Sequence, residues 1–146
     1  MERIEFRTIE QELGIGGVFP TLVPYLNGVP LPDLVHKIEL PFARAEGKPD
    51  LAGSYVGLLR DEVCWPSRHY LGDPVLSWFG DGDTVLLGCG CGDWGCWPFT
   101  TIVEVTEDTV TWSGYRTGHR DWDYRKLRDI AFDRAQYEAA LHATAG

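Results

Sequence analysis

Residues 99–115, FTTIVEVTEDTVTWSGY, constrain the fold more than any other stretch of the chain. Apolar and polar residues alternate through both halves, and β-branched side chains crowd each of them, so each half reads as a half-buried strand. Glu107 and Asp108 interrupt the alternation, which predicts a turn there and an antiparallel pair. Val103 and Val105 then share one face, and Val110 and Trp112 enter the same layer. Just upstream, TVLLGC at 84–89 is a short apolar run that reads as a buried strand beside this hairpin.

The remaining elements fit around that sheet. Ile4, Phe6 and Ile9 predict a short opening strand, followed by a flexible GIGG at 14–17. Asn27-Gly28 lies between two apolar arms and is the dipeptide favoured where both turn residues need positive φ, so a hairpin is expected. Pro32 and Asp33 suit a helix start, with Leu34, Val35 and Ile38 on one face and a stop by Pro41. ARAEGKPDLAGS at 43–54 reads as an exposed loop. Near the end, Asp133 and Gln136 have the spacing of a capping box, with Phe132 against Tyr137 as a hydrophobic staple. A helix over 134–143 follows, with Tyr137, Ala140, Leu141 and Thr144 forming its docking stripe. The expected fold is α+β: a mainly antiparallel β-sheet, a C-terminal helix and one short internal helix.

At 146 residues with 44% hydrophobic content, the chain can close one sizeable core, so residues 1–146 are expected to form a single domain. Its 22 acidic and 13 basic side chains give a formal charge of −9, which disfavours general nucleic-acid binding. No segment approaches the roughly 18 apolar residues of a membrane span, and MERIEFRTIEQEL has no signal-peptide core. A soluble, cytoplasmic protein is expected, and reducing conditions there favour metal binding, thiol chemistry or simple burial over a disulfide framework.

Those alternatives meet in GCGCGDWGCWP at 88–98. GCGDWG matches G-x-G-x-x-G, but Pro98 and the β-branched run after it lead into a strand where a phosphate site needs a helix. Cys89, Cys91 and Cys96 form C-x-C-x4-C, compact enough for three thiolates to converge on zinc, with Cys64, His69 or His119 as the distant candidates for a fourth ligand. Cysteine is equally among the most buried residue types, and the glycines suit a tight β connection. Redox chemistry would pair Cys91 with Cys96, or use one thiolate stabilised by Arg68, Arg116 or Arg120. A cysteine nucleophile could take His69 or His119 as its base.

The string LLGCGCGDWGCWP, the strand TVTWSGY, the His119-Arg120 pair and the ending AFDRAQYEAAL together resemble an uncharacterised bacterial protein family whose members carry a C-x-C-G-x-x-G-C segment. The likeness covers roughly residues 25–142. It implies a bacterial, single-domain, cytosolic protein and adds no catalytic residue.

A second constellation lies in WSGYRTGHRDWDYRKLR at 112–128. Aromatic side chains alternate there with Arg116, Arg120, Arg125, Lys126 and Arg128, a mixture that suits a small anionic ligand or an acidic protein. The same arginines could instead pair with the chain's surplus carboxylates while the aromatics fill the core. The residues thus point to a small binding or regulatory protein rather than an enzyme. Its contact surface would comprise Arg116, His119, Arg120, Trp122 and Arg125, and its loop would hold structural zinc on Cys89, Cys91, Cys96 and Cys64. The alternative is a thiol-dependent enzyme or redox protein using Cys91 or Cys96.

Overall fold

In the computed structural model, which describes residues 1–146, β1 (Ile4–Glu12) and β2 (Val18–Leu26) pair antiparallel along their whole length. Ile4 and Phe6 point into the core while Glu5 and Arg7 face solvent. Asn27 and Gly28 have φ of 51° and 82°, the left-handed pair that a two-residue hairpin turn needs, and β3 (Val29–Pro30) folds back on β2. β4 (Leu58–Leu59) shares that second edge of β2 further along, at Thr21 and Leu22.

The second sheet is an antiparallel meander of β5 (Asp83–Leu87), β6 (Phe99–Val105), β7 (Thr109–Thr117) and β8 (Ile130–Asp133). All five residues of β5 are buried, as its apolar run predicts. Val103, Val110 and Trp112 enter the core, and Val105 is half-buried against it. One hydrophobic cluster of 23 buried residues draws on both sheets, which gives the molecule an α+β architecture around one core.

Two helices differ from expectation in informative ways. α1 (Leu31–Ala45) runs through Pro41 instead of stopping there. Pro41 is exposed, and the carbonyl it leaves without a donor belongs to Lys37, which is also exposed, so water can satisfy it. The buried stripe is Leu31, Val35, Glu39 and Ala43, and the expected Leu34 and Ile38 are only flanking contacts. Segment 43–54 is accordingly not one exposed loop: it begins as the last turn of α1, and Ala43 and Ala52 are buried.

α3 (Arg134–His142) starts as expected, with the Asp133 carboxylate accepting from the Gln136 N–H at 3.0 Å. Gln136 does not return the bond to Asp133. Its amide instead pairs with the Ile4 backbone, accepting from the N–H at 3.0 Å and donating to the carbonyl at 2.7 Å, and so ties the helix to β1. Tyr137 is fully buried among Phe6, Trp112 and Phe132; its hydroxyl accepts from Trp112 Nε1 and donates to the Tyr70 carbonyl. That arrangement joins both sheets to the helix through one satisfied phenol. A short helical turn, α2 (Arg60–Val63), follows β4. No helix of the structure is long and apolar enough to cross a membrane.

Candidate functional site

The cysteine-glycine loop leaves the buried end of β5 and is pinned at three points before it enters β6. Gly88 exchanges backbone hydrogen bonds with Val56 at 2.9 and 3.0 Å. The Gly90 carbonyl accepts from the Gly14 N–H at 2.8 Å, which brings in the β1–β2 turn. His119 Nε2 donates to the Gly95 carbonyl at 3.1 Å, which brings in the segment after β7. Gly88 is needed for packing, because a Cβ there would lie 2.7 Å from the Trp94 Cβ. After Gly92 the Asp93 carboxylate accepts from the Gly95 N–H and starts a single 3-10 turn, Trp94–Cys96. That turn leads directly into β6, so no helix N-terminus faces the glycines and the phosphate-cradle reading is excluded.

This folding gathers three of the four cysteines. The Cys89 sulfur accepts from the Cys91 N–H at 3.4 Å, and the Cys91 sulfur accepts from the Asp93 N–H at 3.4 Å. The Cys89 and Cys96 thiols lie close to Cys91. The Asp93 N–H, followed by the two neighbouring thiols, holds the Cys91 thiol below its ordinary pKa. Cys96 moves the opposite way, to about 11, because the neighbouring Cys91 favours its protonated form. Burial, more than any neighbour, raises Cys89. The result is one thiolate-prone sulfur between two proton-holding ones, with Cys96 exposed and Cys91 half-buried at the surface.

The other expected ligands and bases lie elsewhere. Cys64 caps α2, and its side chain packs against the core. His69 is fully buried: Nε2 donates to the Val85 carbonyl at 2.7 Å, and Nδ1 accepts from the N–H groups of Val75 at 3.1 Å and Leu76 at 3.4 Å. Both ring nitrogens are occupied, so His69 serves neither as ligand nor as general base. No group of three or more His, Cys, Asp or Glu side chains has the spacing of a metal centre.

The arginines expected to face a ligand, or to support a thiolate, are paired internally. Arg116 makes a two-pronged bridge to Asp81 at 3.0 and 2.9 Å and lies over the Phe79 ring. Arg120 bonds Glu46 and the His119 carbonyl and lies over Trp97. Trp122 Nε1 donates to the same Glu46, Arg125 pairs with Asp123, and Arg68 pairs with Asp73. Trp112, Tyr115 and Tyr124 of the aromatic series belong to the core. The segment still lines two cavities, one of about 450 Å³ with Phe79, Arg116, His119, Arg120, Asp121 and Trp122 among its walls, and one of about 620 Å³ with Tyr115, Tyr124, Arg125 and Arg128. His119 stacks on Trp97 and meets Trp78 edge-on, and through Gly95 it links the first cavity to the thiol loop.

Two buried carboxylates that hold the surroundings in place escaped the sequence reading. Asp83 accepts from Ser77 and from the N–H groups of Trp78, Phe79 and Gly80, which fixes the turn carrying Trp78, Phe79 and Asp81. Burial opposes its ionisation, yet these donors hold its carboxyl below the usual range. Glu39 accepts from the hydroxyls of Tyr55 and Tyr124, each at 2.6 Å, and from the Gly53 N–H at 2.8 Å. The Tyr55 oxygen also lies 3.2 Å from Thr117 Oγ1, so α1 is tied through Tyr55 to the end of β7. Burial raises the Glu39 carboxyl despite those bonds. No protein-family model, no curated protein and no solved structure matches this chain.

Proposed function

We propose that the protein works through its cysteine-glycine loop as a dithiol redox protein, with Cys91 as nucleophile and Cys96 as resolving thiol. The observation that carries this reading is the placement of the Cys91 sulfur against the Asp93 N–H and two neighbouring thiols. A hydrogen-bonded thiolate is the attacking species in thiol–disulfide exchange. Cys91 thiolate attacks a disulfide RSSR, forming Cys91–S–S–R and releasing RS⁻. The Cys96 thiol then loses its proton and attacks the Cys91 sulfur of the mixed disulfide, closing Cys91–S–S–Cys96 and releasing a second RS⁻. Two electrons pass to the substrate; the Cys96 proton ends on one released thiolate, and the other takes up from solvent the proton that Cys91 had given up on ionising. The bacterial cytoplasm implied by the resemblance would supply the reducing conditions that return the pair to the dithiol.

A structural zinc on the same loop is the second reading. The N–H groups that reach the sulfurs of Cys89 and Cys91 favour it, since such donors also stabilise metal-bound thiolates. Timed alkylation with iodoacetamide, read by peptide mass, separates the two. Under the redox reading Cys91 is labelled at pH 7 about tenfold or more faster than Cys96, with or without a chelator. Under the zinc reading all loop thiols are protected until a chelator is added. Uniform slow labelling, insensitive to chelator, would overturn both.

A further inference from the structure

We infer that the cavity beside the loop selects the substrate, and that this substrate is a small disulfide bearing carboxylates. The inference rests on the thiol reading above and adds the chemical class that the site takes. The cavity of about 450 Å³ falls within the roughly 300–1,000 Å³ usual for small-molecule sites. Its charged lining consists of Arg116, Arg120 and Asp121, while Asp81 and Glu46, the partners of the two arginines, are not part of the lining. With Asp81 and Glu46 bonded to the two arginines, the site has no net positive charge, so recognition of a carboxylate rests on the guanidinium hydrogens that these pairs leave free.

The internal pairing of the arginines prepares them for a ligand rather than silencing them. Each guanidinium has five N–H donors. Arg116 commits one N–H from each terminal nitrogen to Asp81, and Arg120 commits Nε to Glu46 and one Nη1 hydrogen to the His119 carbonyl. The remaining hydrogens on both side chains are held in fixed orientation by the ion pairs and by the rings of Phe79 and Trp97 beneath them. A carboxylate can accept from such a fork without the arginine first losing its rotamer freedom. The connection to the chemistry is short: His119 lines the cavity and donates to the Gly95 carbonyl, and Gly95 immediately precedes Cys96. A disulfide anchored by its carboxylates at the arginines would be delivered to the loop that carries both thiols.

The test measures the rate at which the free Cys91 thiol is lost, as mixed disulfide or as the Cys91–Cys96 bond that resolves it, with three probes: glutathione disulfide, which is anionic; hydroxyethyl disulfide, which is neutral; and cystamine, which is cationic. Each rate is divided by that of the same probe with 2-mercaptoethanol, which carries no charge beyond its thiolate, and this removes the difference in leaving groups. The inference predicts the order anionic, neutral, cationic, with at least about a tenfold span between the ends, equivalent to about 1.4 kcal/mol. The span should shrink in Arg116→Gln/Arg120→Gln. For the unaltered protein it should also shrink on raising the salt to about 1 M, where the Debye length falls to about 3 Å. Equal normalised rates for the three probes, or a span that survives both the double substitution and the salt, would overturn the substrate assignment while leaving the thiol reading intact. A Cys91 thiol that stays free with all three probes would overturn the thiol reading itself.

Discussion

Glu39→Ala is expected to destabilise the protein by about 3–5 kcal/mol, because it leaves three donors without an acceptor at a buried site and each orphan costs about 1–3 kcal/mol. The donors are the hydroxyls of Tyr55 and Tyr124 and the Gly53 N–H, around a side chain with no exposed surface. A loss of that size is a large part of the stability of an ordinary domain. Glu39→Gln keeps the packing and one carbonyl oxygen, and the tyrosine hydroxyls can rotate to accept from its amide, so it should cost distinctly less. Urea unfolding of the three proteins gives the comparison. A change below about 1 kcal/mol for the alanine variant would mean that the tie between α1 and β7 does not hold the structure together.

His69 should make stability fall with acid over a defined window. Burial lowers its pKa from 6.5 to about 4, and the bonds that Nδ1 accepts from Val75 and Leu76 require the neutral ring. Between those two values the unfolded chain binds a proton that the folded chain refuses, so stability rises with pH across the window. The contribution is fully present above pH 6.5 and is lost as pH falls toward 4. Its size, a difference of about 2.5 pH units, corresponds to about 3 kcal/mol. Glu39 acts in the opposite sense, since its raised pKa favours the folded state at lower pH. The measurement is therefore the difference in pH slope between the unaltered protein and His69→Gln, whose amide can mimic the bond to Val85. Parallel slopes from pH 7 to 4 would contradict a neutral, buried His69.

Local patterns in the chain were legible where short-range physics decides the outcome. Alternation placed β6 and β7, Asn27-Gly28 placed the first sheet's turn, and Asp133 placed the start of α3. Pro41 misled because helix propensity is local, while α1 is held beyond it by the burial of Ala43 and by the hydrogen bonds of Glu39. Glu39 itself falls four residues after Val35 on the buried stripe, a position from which burial follows once Leu31 and Val35 are seen to define the face. The roles of His69 and Asp83 depend on backbone groups brought up by tertiary folding, which no spacing in the sequence encodes. The cysteine cluster was visible as spacing, but its selection of Cys91 was not. What the structure adds is the Asp93 N–H that lowers the Cys91 pKa, in a loop pinned by Gly14 and His119, both remote in sequence from the cysteines.

Disulfide mapping after titration of the reduced protein with one equivalent of diamide tests the central claim most directly. The dithiol reading predicts a single intramolecular bond joining Cys91 and Cys96, with Cys89 and Cys64 recovered as free thiols. A bond that bypasses Cys91, or four free thiols with the diamide left unreacted, would contradict it.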